Sequence, residues 1–307
     1  MAKQELSLLS AGQVCGDDNE EQLEVIKKYG TKAAITDLCV LTGSYLYENT
    51  DYNIDEDKSL TGRTSDFWTR SNDNIGYVFV VYAPTDEVGS IEFCKIRSNA
   101  IRPVLESSEV FSRISPNRTK GYNGTEEVQY GEYPQNAASE DMQMTLELKY
   151  NMGMNKTGRS YTFDFVEPGD YDTGFKPVTY EEYEYQGKEY IRIKANFCFG
   201  GNEFKLSNGV EYRNGDYVWV EVSPVKWLID DRTGILISKK GLVSGIRFLD
   251  NRYKGDFDKT EMKEYLDKYM LRDLTQTITF TRVQNTTSEE KEMFEEEQKR
   301  AERRRNP

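Results

Sequence analysis

Asp172-Thr173-Gly174 is one place in the chain where residue type and spacing could do chemistry. A D-T-G turn is the core of an aspartic-protease site, in which two such carboxylates share one proton. The chain carries a single copy, and polar Asp170-Tyr171 stand where such a site has an apolar strand. A second copy of the chain could bring the second aspartate, but a glycine-terminated surface turn is the simpler reading. Asp51, Asn53, Asp55 and Asp57, followed by Ser59, place oxygen donors at the alternate spacing of an EF-hand loop and are candidate cation ligands. The pattern departs where that loop is most constrained: Glu56 stands where glycine makes the turn, and Gly62 where a bidentate glutamate closes the shell. A solvated acidic loop is the simpler reading.

The chain has no histidine. Ser-His-Asp and Cys-His nucleophiles, H-E-x-x-H zinc sites and histidine phosphorelays are therefore excluded. The commonest general base is missing too, so any acid–base chemistry falls to carboxylates or lysines. The 53 aspartates and glutamates offer many possible pairs for a carboxylate hydrolase, and no spacing singles one out. No phosphate-cradling glycine loop and no G-x-S-x-G elbow occurs. The expectation is a protein without a cofactor and without a catalytic site.

The elements that would position a binding surface are mostly strands. Tyr77–Tyr82, Ser90–Ile96 and Ile101–Leu105 read as strands, with a turn near Asp86–Gly89. Tyr180–Tyr185 and Lys188–Phe197 flank Gln186-Gly187 as a two-residue hairpin, setting Tyr183 opposite Tyr190 and Glu181 opposite Arg192. Ile191, Ile193, Ala195 and Phe197 alternate with Arg192, Lys194 and Asn196, the pattern of a half-buried strand. Tyr217–Val222, Lys226–Asp230, Ile235–Ser238 and Gln276–Val283 extend the series. Helices are expected at Asn19–Tyr29, about Glu140–Met152 with Gly153 as the stop, and Thr260–Met270. The fold class is α+β, predominantly antiparallel. The chain divides into 1–30 (helical), 31–105 (β-rich), 106–126 (a linker rich in Ser, Asn, Pro and Gly), 127–284 (β-rich with helices) and 285–307 (a charged helical tail).

The 21 tyrosines, 14 phenylalanines and 3 tryptophans are too many for disorder, although 30% of residues are charged. A net charge of −13 disfavours nucleic acid and anionic membranes as partners. No apolar run is long enough to span a bilayer and no leader is evident, so the cytoplasm of a bacterial host, or a virion, is the expected setting. Cys15, Cys39, Cys94 and Cys198 are scattered and read as reduced, mostly buried thiols. In the tail, Thr287 and Glu290 form a capping box, and Glu295/Lys299 and Glu296/Arg300 are i,i+4 pairs. Met293 and Phe294 are its apolar handles and the candidate partner contacts; the tail is expected to add nothing to the core.

Phe67-Trp68-Thr69-Arg70-Ser71, Arg102-Pro103-Val104-Leu105, Tyr130-Gly131-Glu132-Tyr133-Pro134-Gln135 and Pro224-Val225-Lys226-Trp227-Leu228 form a recognisable set. Together they resemble an uncharacterised bacterial and phage domain family with W-x-R-S, R-P-x-L, Y-G-x-Y-P-Q and W-x-(V/I)-L signatures. That family resembles the C-type-lectin-like fold of formylglycine-generating and sulfatase-modifying enzymes. Here Arg102-Pro103 precedes Tyr133-Pro134, the reverse of the family order, so the chain reads as permuted or as two partial units. The paired active-site cysteines of the enzymatic relatives have no counterpart, and the resemblance implies a fold without an activity. It also implies that Trp68 and Trp227 anchor a core. The function expected is a non-catalytic structural or recognition protein in a larger assembly, such as a phage virion or phage-encoded accessory protein, with a protein partner or a homo-oligomer. The alternatives are a lectin-like module for glycan or peptide and, ranked behind it, a carboxylate-based hydrolase.

Overall fold

The computed structural model describes residues 4–7, 35–43, 46–47, 64–68, 76–82, 87–93, 101–107, 127–164, 176–196, 203–229, 235–246, 257–276 and 280–283. Its strands are β1 (Gln4–Ser7), β2 (Leu46–Tyr47), β3 (Thr64–Trp68), β4 (Gly76–Tyr82), β5 (Glu87–Phe93), β6 (Val104–Ser107), β7 (Glu127–Ala137) and β8 (Lys156–Asp164). They continue with β9 (Pro177–Tyr185), β10 (Lys188–Lys194), β11 (Glu203–Lys205), β12 (Glu211–Arg213), β13 (Tyr217–Ile229), β14 (Leu236–Ser238) and β15 (Phe280–Val283). The helices are α1 (Asp37–Leu41), α2 (Glu140–Asn151), α3 (Glu261–Tyr265) and α4 (Leu271–Leu274), the last two joined by a π turn at Leu266–Met270. Strands dominate and their ladders are antiparallel, as the α+β expectation requires.

Pro224 falls inside one strand instead of between two. The segment expected at Tyr217–Val222 and residues 226–229 of the one expected at Lys226–Asp230 are both part of β13. Proline cannot donate to a ladder, and β13 accommodates it with register shifts between Glu221 and Val222 and between Pro224 and Lys226. β13 pairs with β10 through Tyr217–Glu221, with β14 through Trp227–Ile229, and with β7 along Val220–Leu228. The nine-stranded sheet runs β1-β6-β14-β13-β10-β9-β8, with β7 joining β13 to β15. β6 takes in Glu106 and Ser107, the first two residues of the segment expected as a linker, and pairs with β14 of the later stretch. β2-β3-β4-β5 form a separate four-stranded sheet, and β11-β12 a two-stranded one.

One face of the large sheet carries the main core. Ile191, Ile193, Val218, Val220 and Trp227 are buried there against Tyr133, Tyr161 and Phe163. Met262, Tyr265, Leu266, Met270 and Leu274, from the C-terminal helices and π turn, close over them. The helix expected at Thr260–Met270 thus starts as predicted, with Thr260 Oγ1 accepting from the Lys263 amide at 3.0 Å, and runs on to Leu274. Gly131 in β7 has φ +68°, and a Cβ there would lie 2.4 Å from the Leu274 carbonyl oxygen. Only glycine lets β7 and α4 come this close. Trp227 is fully buried as expected, its indole N–H donating to the Tyr130 carbonyl at 2.8 Å; the Trp68 side chain lies outside what is described.

The β9–β10 hairpin turns at Gln186 and Gly187, both at positive φ, with Tyr183 opposite Tyr190. Its ladder ends at Ile191↔Glu182. Arg192, expected opposite Glu181, instead pairs with Trp219 of β13 and sends its side chain to α2. Asn196, expected on the exposed face, is buried. Cys39, on α1, is buried as expected of a reduced structural thiol, and burial pushes its pKa up to about 12.

Candidate functional site

Three carboxylates are buried among the described residues, and each is occupied by hydrogen bonds that hold strands. Glu182 on β9 is fully buried; its Oε1 accepts from Thr157 Oγ1 at 2.5 Å and Arg159 Nε at 2.7 Å, its Oε2 from the Tyr161 hydroxyl at 2.9 Å. Arg159 also reaches Glu132 at 3.1 Å and Glu189 at 3.5 Å, so one guanidinium ties β7, β8, β9 and β10 together. Burial, against the pull of Arg159, raises the Glu189 carboxyl. Burial first, and then the Glu182 charge, raises the Tyr161 phenol.

Asp37 accepts the Ala137 amide at 2.7 Å and the Ser207 hydroxyl at 2.5 Å, joining α1 to the end of β7 and to the loop before β12. Asp273 accepts the Thr162 amide at 2.5 Å and Arg272 Nε at 2.7 Å. Beside it, the Gln276 amide pairs with both the N–H and the C=O of Ser160. Asp273 and Gln276 thus cap the open edge of β8, where a further strand could otherwise add. Burial raises the Asp273 pKa to about 6. These groups fasten structure.

The second face of the sheet carries a different feature. α2 lies over Trp219 and Tyr190, which form a small cluster with Ala138 and Leu146. Gln143 clamps it in place: its Oε1 accepts from the Trp219 amide at 2.8 Å and its Nε2 donates to the Trp219 carbonyl at 2.7 Å. Glu147 accepts two bonds from Arg192, at 2.8 and 2.7 Å, and one from the Trp219 indole at 3.1 Å. That lowers the Glu147 pKa, Arg192 being the main cause. Tyr150 packs edge-on against Tyr183 and Trp219, and Arg192 sits 3.6 Å over the Tyr217 ring.

The sequence of α2 explains what its other side shows. Met142, Met144, Leu146, Leu148, Tyr150 and Met152 alternate with polar residues, a period of two. On a helix, a step of two residues turns about 200°, so the series splits into two opposed i,i+4 ridges. Met142, Leu146 and Tyr150 face the sheet. Met144, Leu148 and Met152 face away and are 63%, 61% and 71% exposed. Propensity and capping make the segment helical despite the strand-like period: Met, Gln, Leu, Glu and Lys are good helix formers, acidic residues fill the first turn, and Gly153 follows the C-cap.

The candidate cation ligands Asp51, Asn53, Asp55 and Asp57, the Asp172-Thr173-Gly174 turn, and the tail with Met293 and Phe294 lie outside the described residues. Among the described residues no group of three or more carboxylates or cysteines is arranged to hold a metal ion. No helix among them is long and apolar enough to cross a membrane. Comparison with protein-family models, with curated proteins and with solved structures finds no match.

Proposed function

We propose that the chain is a non-catalytic structural or recognition protein that works in an assembly, and that α2 is its self-association surface. The observation that carries this reading is the outward ridge Met144–Leu148–Met152, on a helix whose inner face is already satisfied by the sheet. A soluble surface seldom exposes a contiguous apolar ridge unless something covers it. The occupant is a second copy of the chain, and charge supports that choice. Glu140 and Asp141 lie in the first turn of α2 and Lys149 in the last. Antiparallel pairing brings each acidic end to the partner's basic end and opposes the two helix dipoles, whereas parallel pairing sets like against like. A ridge of i±4n residues favours a crossing angle of about −50°.

The C-type-lectin-like scaffold and the phage virion or accessory setting implied by the sequence motifs belong to the same proposal. The antiparallel sheet and the Trp227 anchor support the scaffold. Sedimentation velocity across a concentration series tests the assembly: a monomer–dimer equilibrium is expected, and a chain that stays monomeric at millimolar concentration overturns it.

A further inference from the structure

Beyond self-association, we propose that a cleft between β7, β13 and the turn after β14 binds a small ligand carrying a phosphate or sulfate group. The cleft encloses about 300 Å³, at the lower end of the range for small-molecule sites. Among the described residues its charged lining consists of Lys226, Lys239 and Lys240, with no carboxylate. In a chain of net charge −13 that is a local reversal of sign. Gln129, Asn136 and Ser223 add neutral hydrogen-bonding groups around the lysines.

The cleft is a product of the fold. The β13 bulge at Pro224 forms one wall, and the Gln135 amide holds it by donating to the Ser223 carbonyl at 2.9 Å and the Pro224 carbonyl at 3.2 Å. Bulges commonly re-aim side chains beside functional sites. Ser238, fully buried, pins the opposite wall: its hydroxyl donates to the Lys240 carbonyl at 2.6 Å, and its carbonyl accepts from Arg102 Nε at 2.6 Å. Arg102 is itself buried behind that wall. Burial lowers its pKa to about 10, so it stays cationic at neutral pH.

Three separate ammonium groups can each take a different oxygen of a tetrahedral dianion, which suits phosphate or sulfate, free or on a small organic carrier.

Isothermal titration of the full chain with inorganic phosphate, at ionic strength held constant with sodium chloride, tests this. Saturable binding at one site is expected, weakened about tenfold by Lys226→Gln with Lys240→Gln. Lys188→Gln, which removes an exposed ion pair to Glu221, should leave the affinity unchanged. Sulfate should compete. A non-saturating isotherm, equal binding by the double variant at an unchanged melting temperature, or failure of sulfate to compete overturns the proposal. Because Lys226 and Lys240 are not on α2, sedimentation of the double variant should match that of the wild type; phosphate binding and self-association thus fail or succeed separately.

Discussion

Replacing Leu148 by lysine separates the two faces of α2. Full burial of a Leu or Met side chain stabilises by roughly 1.5–3 kcal/mol. With 61–71% of Met144, Leu148 and Met152 still exposed, each retains roughly 1–2 kcal/mol for an interface. Six such side chains across a twofold axis give a gross upper bound of roughly 6–12 kcal/mol, set against an association cost of roughly 4–15 kcal/mol. The dimer should accordingly be micromolar or weaker. Leu148→Lys removes roughly 2–4 kcal/mol over the two copies and adds like charges near the axis, so the dissociation constant should rise at least about thirtyfold. The monomer should be unaffected: lysine and leucine have similar helix propensity, and a cation near a helix C-terminus is favourable. Sedimentation velocity reads the association and thermal melting reads the fold. An unchanged dissociation constant would sink the reasoning. A melting temperature lowered by several degrees at concentrations where the wild type is already monomeric would do so as well, because it would place Leu148 beneath other parts of its own chain.

Three further outcomes test the fold that holds this surface. Glu182→Ala leaves Tyr161 and Arg159 without their buried acceptor and should cost about 3–4 kcal/mol in urea unfolding, near the range for breaking a buried charge pair; a loss below about 1 kcal/mol would deny the clamp. Asp273 has a folded pKa of about 6, above its unfolded value, so its protonated form favours the fold. Its contribution is full below about pH 4 and is lost as pH rises through 6, a change of about 2–3 kcal/mol. Asp273→Asn should remove that component, and identical pH dependence of stability from pH 4 to 7 in both proteins would refute it. Gly131→Ala meets both a positive φ and the Leu274 carbonyl, and should cost about 2–4 kcal/mol; a melting temperature within 1 °C of wild type would mean that β7 and α4 are farther apart.

Much of the local structure is legible in the sequence because it depends on neighbours along the chain. Gln186-Gly187 sets the hairpin register that puts Tyr183 opposite Tyr190. The boundaries of α2 follow from its acidic first turn and Gly153, and the absence of histidine excludes whole classes of chemistry. The period of two in α2 is itself readable, and on a helix it means two apolar ridges. Which ridge the protein covers is a tertiary fact, fixed by Trp219, Tyr190 and the Gln143 clamp. β7 gives little alternation because Gly131 and Pro134 interrupt it, and Pro224 makes one long strand read as two. Pairing with β13, together with the close approach of α4, decides both. The roles of Asp37, Glu182 and Asp273 appear only when distant backbone amides, hydroxyls and guanidinium groups meet them. The cleft belongs to the same class: Lys226 and Lys240 become neighbours of Gln135 only because β13 pairs on opposite edges with β7 and β14. Sequence governs turns, caps and periods, because those interactions span a few residues. Charge reversal, buried polar pairing and an uncovered ridge depend on which strands lie side by side.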